Sequence, residues 1–160
     1  MSGKSDGSSE EAFKRAVKFL SYRARSEAEV RAKLTQLGFP QQITNSVLTK
    51  LRSLNLLDDR TFARNWAMGR VEGRGYGPLR IKRELRAKGV AQFLIEQIIQ
   101  EGFGKKEGRE KARQLLERKF RGQDLKDVKV LRRAVSFLQR RGYRDAVIAE
   151  VLKMPSENDS

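Results

Sequence analysis

Apolar residues recur along this chain at intervals of three and four. Phe13, Ala16, Val17 and Leu20 fall at i, i+3, i+4 and i+7, one stripe of a helix whose other faces are polar. Val30, Leu34 and Leu37 carry the spacing up to Gly38, and Ile43, Val47, Leu48 and Leu51 resume it after Pro40. No stretch alternates apolar and polar residues for long, so the chain reads as helical throughout. Ser8-x-x-Glu11 and Ser26-x-x-Glu29 have the capping-box form, in which the two side chains satisfy donors that a helix start leaves open. Pro40 suits the first turn of a further helix, where a missing N–H does no harm. The opening ~50 residues thus predict three helices of ordinary length.

The same phrase then returns twice. Aligned on Gly38, Gly89 and Gly142, the chain places Leu34, Leu85 and Leu138 four residues before the glycine. Val30, Ile81 and Ala134 stand eight before; Phe39, Val90 and Tyr143 stand one after. Ile43, Leu94 and Val147 follow at five, Val47, Ile98 and Val151 at nine, and Leu48, Ile99 and Leu152 at ten. The spacings of 51 and 53 residues signal an array of helical repeats. Each glycine is placed to end one helix in the left-handed conformation before a short turn.

The fold class expected is all-α, three tandem three-helix repeats over 10–57, 58–104 and 105–154, with disordered tails at 1–9 and 155–160. The first helices of the units are expected at Glu10–Ala24, Asp59–Glu72 and Lys105–Phe120. Asp58 or Asp59 would cap the second of these, and Trp66 falls on its Phe62/Ala63 stripe, a core position. Units of this size bury little surface alone. They either pack side by side into an elongated, gently curved array, or stay loosely joined through Leu54–Leu57 and Gly102–Gly104.

Composition narrows the chemistry. The chain has no Cys and no His, so disulfides, thiolate nucleophiles, sulfur-built zinc sites and imidazole catalysis are excluded. The longest charge-free run, Leu34–Thr49, is rich in Gln, Thr, Asn and Ser and falls short of the ~18 apolar residues of a membrane span. Met1–Ser9 has no apolar core of the kind a signal peptide needs, so a cytoplasmic protein is expected. Thirty-five Lys and Arg against 20 Asp and Glu give a net charge of +15, which points to an anionic partner, nucleic acid first.

The charge concentrates between Arg70 and Lys88, where seven basic residues meet two acidic ones. A helix starting at Pro78 buries Ile81 and Leu85 on one face, which puts Arg83 and Arg86 opposite, flanked by Arg80 and Lys82. Arg70, Arg74 and Tyr76 precede them, Tyr76 between glycines and free to stack on a base, a guanidinium or a partner side chain. Arg makes forked contacts to phosphates and carboxylates, and a helix N-terminus favours anions. In the third unit Arg132, Arg133 and Arg140 face away from Leu131, Val135 and Leu138 and extend the footprint. Gly73-x-Gly75-x-Gly77 lacks the spacing of a dinucleotide fingerprint. No catalytic, cofactor-binding or metal-binding residues are expected.

Two passages of the middle unit resemble the RecX family of bacterial recombinase regulators. Leu54-Asn55-Leu56-Leu57-Asp58-Asp59 followed by Phe62-Ala63 is one. The other is Gly75-Tyr76-Gly77-Pro78-x-Arg80-Ile81-x-x-Glu84-Leu85-x-x-Lys88-Gly89-Val90. Leu138-Gln139-Arg140-Arg141-Gly142-Tyr143 is a looser match in the third unit, and the likeness runs from about Ala12 to Lys153. Asn55 stands where the family usually has Gly; Asn tolerates the left-handed conformation. The resemblance implies a non-enzymatic protein that binds RecA and the RecA–single-stranded DNA filament in its groove; a monomer is expected. It would restrain filament growth, strand exchange and ATP hydrolysis in recombination, DNA repair and the SOS response. The charge alone implies weak, non-specific DNA binding. An autonomous DNA binder built of helix-turn-helix-like units is the alternative. Its base-reading kit is thin: the last helices of the outer units offer Gln41, Gln42, Asn45 and Arg144.

Overall fold

The structure, a computed structural model, describes residues 3–153. Side chains are described from Ser8 onward, that of Lys105 excepted. Nine helices and no strand occur among the described residues: α1 (Gly3–Tyr22), α2 (Glu27–Gln36), α3 (Gln41–Ser53), α4 (Asp59–Arg74), α5 (Pro78–Ala87), α6 (Gln92–Gly102), α7 (Lys105–Lys119), α8 (Val128–Arg141) and α9 (Asp145–Lys153). None is long and apolar enough to cross a membrane.

The three glycines of the repeat all have left-handed backbones, φ being +89° at Gly38, +76° at Gly89 and +97° at Gly142. The hydrogen bonds around them are the same three times. Phe39 N–H donates to the Leu34 carbonyl, Val90 to Leu85 and Tyr143 to Leu138, each at 3.1 Å. The glycine N–H groups donate to Thr35, Arg86 and Gln139 at 3.0 Å. These are three Schellman ends, closing helices whose last carbonyls would otherwise lack donors. Leu34, Leu85 and Leu138 are fully buried, as are Val30, Ile81 and Ala134.

By contacts the chain forms two compact units, Met1–Asn65 with Leu85–Leu94, and Trp66–Glu84 with Ile95–Ser160; the chain passes between them within α4, α5 and α6. In the first, α1, α2 and α3 enclose Ala12, Ala16, Val30, Leu34, Leu48 and Leu51. Ser26 caps α2 through the expected capping box. Asp58 accepts from the N–H groups of Arg60 (3.0 Å) and Thr61 (3.3 Å); these bonds, those with Thr61 foremost, hold its carboxyl below the usual range. Asp59 serves another helix: its Oδ1 accepts the Glu27 N–H at 2.8 Å, and burial raises its carboxyl pKa. Asn55 has φ +59°, the left-handed turn expected of it. In the second unit α7, α8 and α9 enclose Ala112, Leu116, Ala134, Phe137, Leu138 and Ile148.

Four expectations are corrected. α1 already runs from Gly3, so Ser8 does not start it and Gly3–Ser9 are helical rather than tail. Once a nucleus exists each added residue gains a hydrogen bond, and no proline stands in the way. The residues 155–160 lie outside the described residues. Leu37 is 39 % exposed, because α2 ends at Gln36 and Leu37 is its C-cap. Val17 lies just off the buried stripe of α1 and is also exposed. Gly73 belongs to α4, which runs to Arg74 rather than ending at Glu72.

Candidate partner-binding surfaces

Within each unit the C-terminal end of one repeat's second helix docks on the start of the second helix one repeat earlier. In the first unit the Ser26 hydroxyl donates to the Lys88 carbonyl at 2.6 Å, and a Cβ on Gly89 would overlap the Cβ of Ala28. In the second, Gly77 N–H donates to the Arg141 carbonyl at 2.6 Å and Leu79 N–H to the Gly142 carbonyl at 2.9 Å. A Cβ on Gly142 would lie 2.5 Å from the Arg80 Cβ. Carbonyls at a helix end thus meet the N-cap hydroxyl of a helix start in the first unit and its open N–H donors in the second, the favourable sense for both dipoles. Gly38 has no helix start against it: a Cβ there meets nothing within 4 Å.

This docking changes the reading of the Arg70–Lys88 segment. The start of α5 is closed by α8 carbonyls and is no open anion site. Tyr76 is not free either. Its ring is 5 % exposed, and the guanidinium it stacks on is Arg80 of its own chain, 3.8 Å from the ring centre. Arg74 Nη1 donates to the Tyr76 hydroxyl at 3.4 Å; that bond, with the Arg80 charge, draws the phenol pKa below its usual value. Arg80 also donates to the Arg140 carbonyl at 3.1 Å. Arg70 is half-buried over Trp66 at 4.4 Å and pairs with Glu84 at 3.5 Å. Trp66 donates to the same Glu84 at 3.2 Å, a half-buried structural position. Lys82 is half-buried in a separate hollow beside Glu96, Phe103 and Tyr143.

Arg83 and Arg86 remain. Both are exposed, one turn apart on α5. Arg83 has no hydrogen-bond or ion-pair partner among the described residues, and Arg86 only a 3.5 Å contact to Gln92. The repeat shows that the fold needs no cation there. The aligned positions hold Ala32 and Thr35 in the first unit, and Ser136 and Gln139 in the third.

The third-unit arginines are exposed as expected. Arg132, Arg133 and Arg140 line one open groove of about 490 Å³ between the end of α7 and α8, together with Lys119, Gln123 and Ser136. Lys119 had no signal in the sequence beyond lying in the basic last turn of a helix. Arg133 donates to Gln123 at 3.0 Å.

Three descriptions of the RecX family match the chain: the first three-helix domain over residues 12–51, the second over 58–99 and the third over 107–152. "Regulatory protein RecX" of Mycolicibacterium smegmatis is 34% identical, the match covering 89% of this chain and 78% of that one. The protein of the same name from Prosthecochloris aestuarii is 38% identical over 61% of this chain and 64% of its own. Among solved structures, RecX from Lactobacillus salivarius superposes with TM-score 0.79 at 21% identity, covering 92% of this chain and 96% of that chain. A second structure, titled regulatory protein RecX, gives 0.75 at 24% identity, over 92% and 73%. At these identities the structural likeness speaks for the fold.

Proposed function

Since the chain belongs to the RecX family, we propose that it is a non-enzymatic, monomeric cytoplasmic regulator of RecA. It binds RecA and the RecA–single-stranded DNA filament and restrains filament growth, strand exchange and ATP hydrolysis. The observation that carries this reading is the exposed Arg83–Arg86 pair of α5, free of carboxylate partners and placed where the other repeats are uncharged. Two forked cations held on a regular helix suit an acidic partner surface. Arg70, Arg74, Tyr76, Arg80 and Lys82 support that helix from behind and beside it.

The test is inhibition of RecA-catalysed ATP hydrolysis on single-stranded DNA, and of strand exchange, by Arg83→Glu/Arg86→Glu. Neither side chain is buried, so the fold stays intact by circular dichroism. Like charges across an interface cost several kcal/mol, and ~1.4 kcal/mol is tenfold in affinity. The inhibitory concentration should therefore rise by roughly tenfold or more. Reversal of Lys14 and Lys18, exposed on α1, should leave it unchanged. Unaltered inhibition by the folded double variant would mean the α5 face is only solvated surface.

A further inference from the structure

We propose that the groove between α7 and α8 is a seat for the phosphodiester backbone of a nucleic-acid strand, separate from the α5 face. Lys119, Arg132, Arg133 and Arg140 line it and no carboxylate does. None of the four makes an ion pair among the described residues. Two of them have neutral contacts: Gln123 takes Arg133, and the Phe137 ring lies 5.9 Å from the Lys119 ammonium. An aromatic face or an amide positions a cation without cancelling its charge, so the field in the groove stays positive.

A second hollow shares Lys119 and Phe137 with this groove and is lined by Arg74, Arg118 and Arg141 with one carboxylate, Glu72. There Arg141 stacks 5.0 Å from the same Phe137 ring and donates to the Arg74 carbonyl. The two together hold seven cations against one carboxylate, which suits a chain of regularly spaced phosphates better than a single anion.

The internal repeat supplies independent support. Positions aligned with Arg132 hold Ala28 and Leu79, and those aligned with Arg140 hold Gln36 and Ala87. The position of Arg133 holds Glu29 and Arg80. The first repeat's helix therefore forms with none of these cations, and the second's without those at the positions of Arg132 and Arg140. The floor identifies what is read: Phe120 and Phe137 are 8 % and 7 % exposed and pack edge to face on each other. They offer no open ring for a base to stack on, so the groove contacts phosphate and is indifferent to sequence.

This proposal deepens the binding role assigned to Arg132, Arg133 and Arg140, and its test contains no RecA, so it fails or succeeds apart from the α5 reading. The full chain is titrated by fluorescence anisotropy into labelled oligo-dT and into a duplex of the same length over a series of salt concentrations. Arg132→Gln/Arg133→Gln/Arg140→Gln removes three phosphate contacts. The slope of log K against log salt should then fall by about 2 for the single strand and about 3 for the duplex, whichever the groove takes, since each contact contributes ~0.7 or ~0.9. Lys14→Gln/Lys18→Gln/Lys153→Gln lowers the net charge equally and should leave the slope near that of the wild type. Equal slopes for the two triple variants would overturn the proposal, because net charge alone would then explain binding. So would poly-glutamate competing with the strand charge for charge, since the groove would then be an acidic-peptide surface.

Discussion

Substituting alanine at the three repeat glycines separates backbone strain from docking. At Gly38 the added methyl meets nothing within 4 Å, so the cost is the left-handed backbone alone, about 1–2 kcal/mol. The stiffer unfolded chain offsets ~0.4–1 kcal/mol of that, leaving roughly 1 kcal/mol. At Gly89 the backbone cost is the same, but the new methyl overlaps that of Ala28. Relief requires α2 and the α5 end to part, which strains packing by about 1–3 kcal/mol and breaks the Ser26–Lys88 bond, worth ~0.5–1.5 kcal/mol. Gly89→Ala should therefore cost about 3–5 kcal/mol. Gly142→Ala should cost at least as much, because its methyl meets the Arg80 backbone nitrogen at 2.6 Å as well as the side chain, and backbone yields less than a side-chain tip. Urea unfolding followed by circular dichroism at 222 nm reads all three. Ala28→Gly costs ~0.5–1 kcal/mol alone yet should rescue Gly89→Ala by more than that, giving a coupling above ~1 kcal/mol, as expected of residues in contact. Three equal losses, or a rescue of zero, would refute the docking argument.

Leu34→Ala, Leu85→Ala and Leu138→Ala should each destabilise by roughly 2–5 kcal/mol, since each is fully buried; a loss under ~0.5 kcal/mol, surface-like, would remove that unit from the repeat. Asp58→Ala should cost ~1 kcal/mol in the same assay through the lost α4 cap; Asp58→Asn should restore most of it. Burial pushes the Tyr143 phenol up to about 12, against ~10 in the unfolded chain. The unfolded state thus loses its proton first, so this contribution is intact below pH ~10 and is lost as pH rises to ~12, by roughly 2–3 kcal/mol. Tyr143→Phe should remove that part of the alkaline slope, and in a 295 nm titration Tyr76 should ionise well before Tyr143.

Periodicity, the repeat and the glycine ends were legible in the chain because they are local matters. Burying Val30 and Leu34 on one face follows from helical geometry, and Gly38, Gly89 and Gly142 mark helix ends by a conformation few other residues adopt. Counting charge was enough to expect an anionic partner. Which cations stay free to meet it was decided by tertiary structure, through contacts between residues far apart in sequence. Arg80 and Tyr76 looked like the tip of a binding loop, yet they stack on each other, with Arg80 donating to the Arg140 carbonyl and the Gly77 N–H to that of Arg141, 60 and more residues away. Arg83 and Arg86, similar by composition, escape that docking and stay exposed. Lys119 joins Arg132 and Arg140 only because α7 and α8 fold against each other. A sequence pattern fixes which face of a helix turns inward; whether a cation on the outward face is left to solvent or covered depends on what the rest of the chain brings against it.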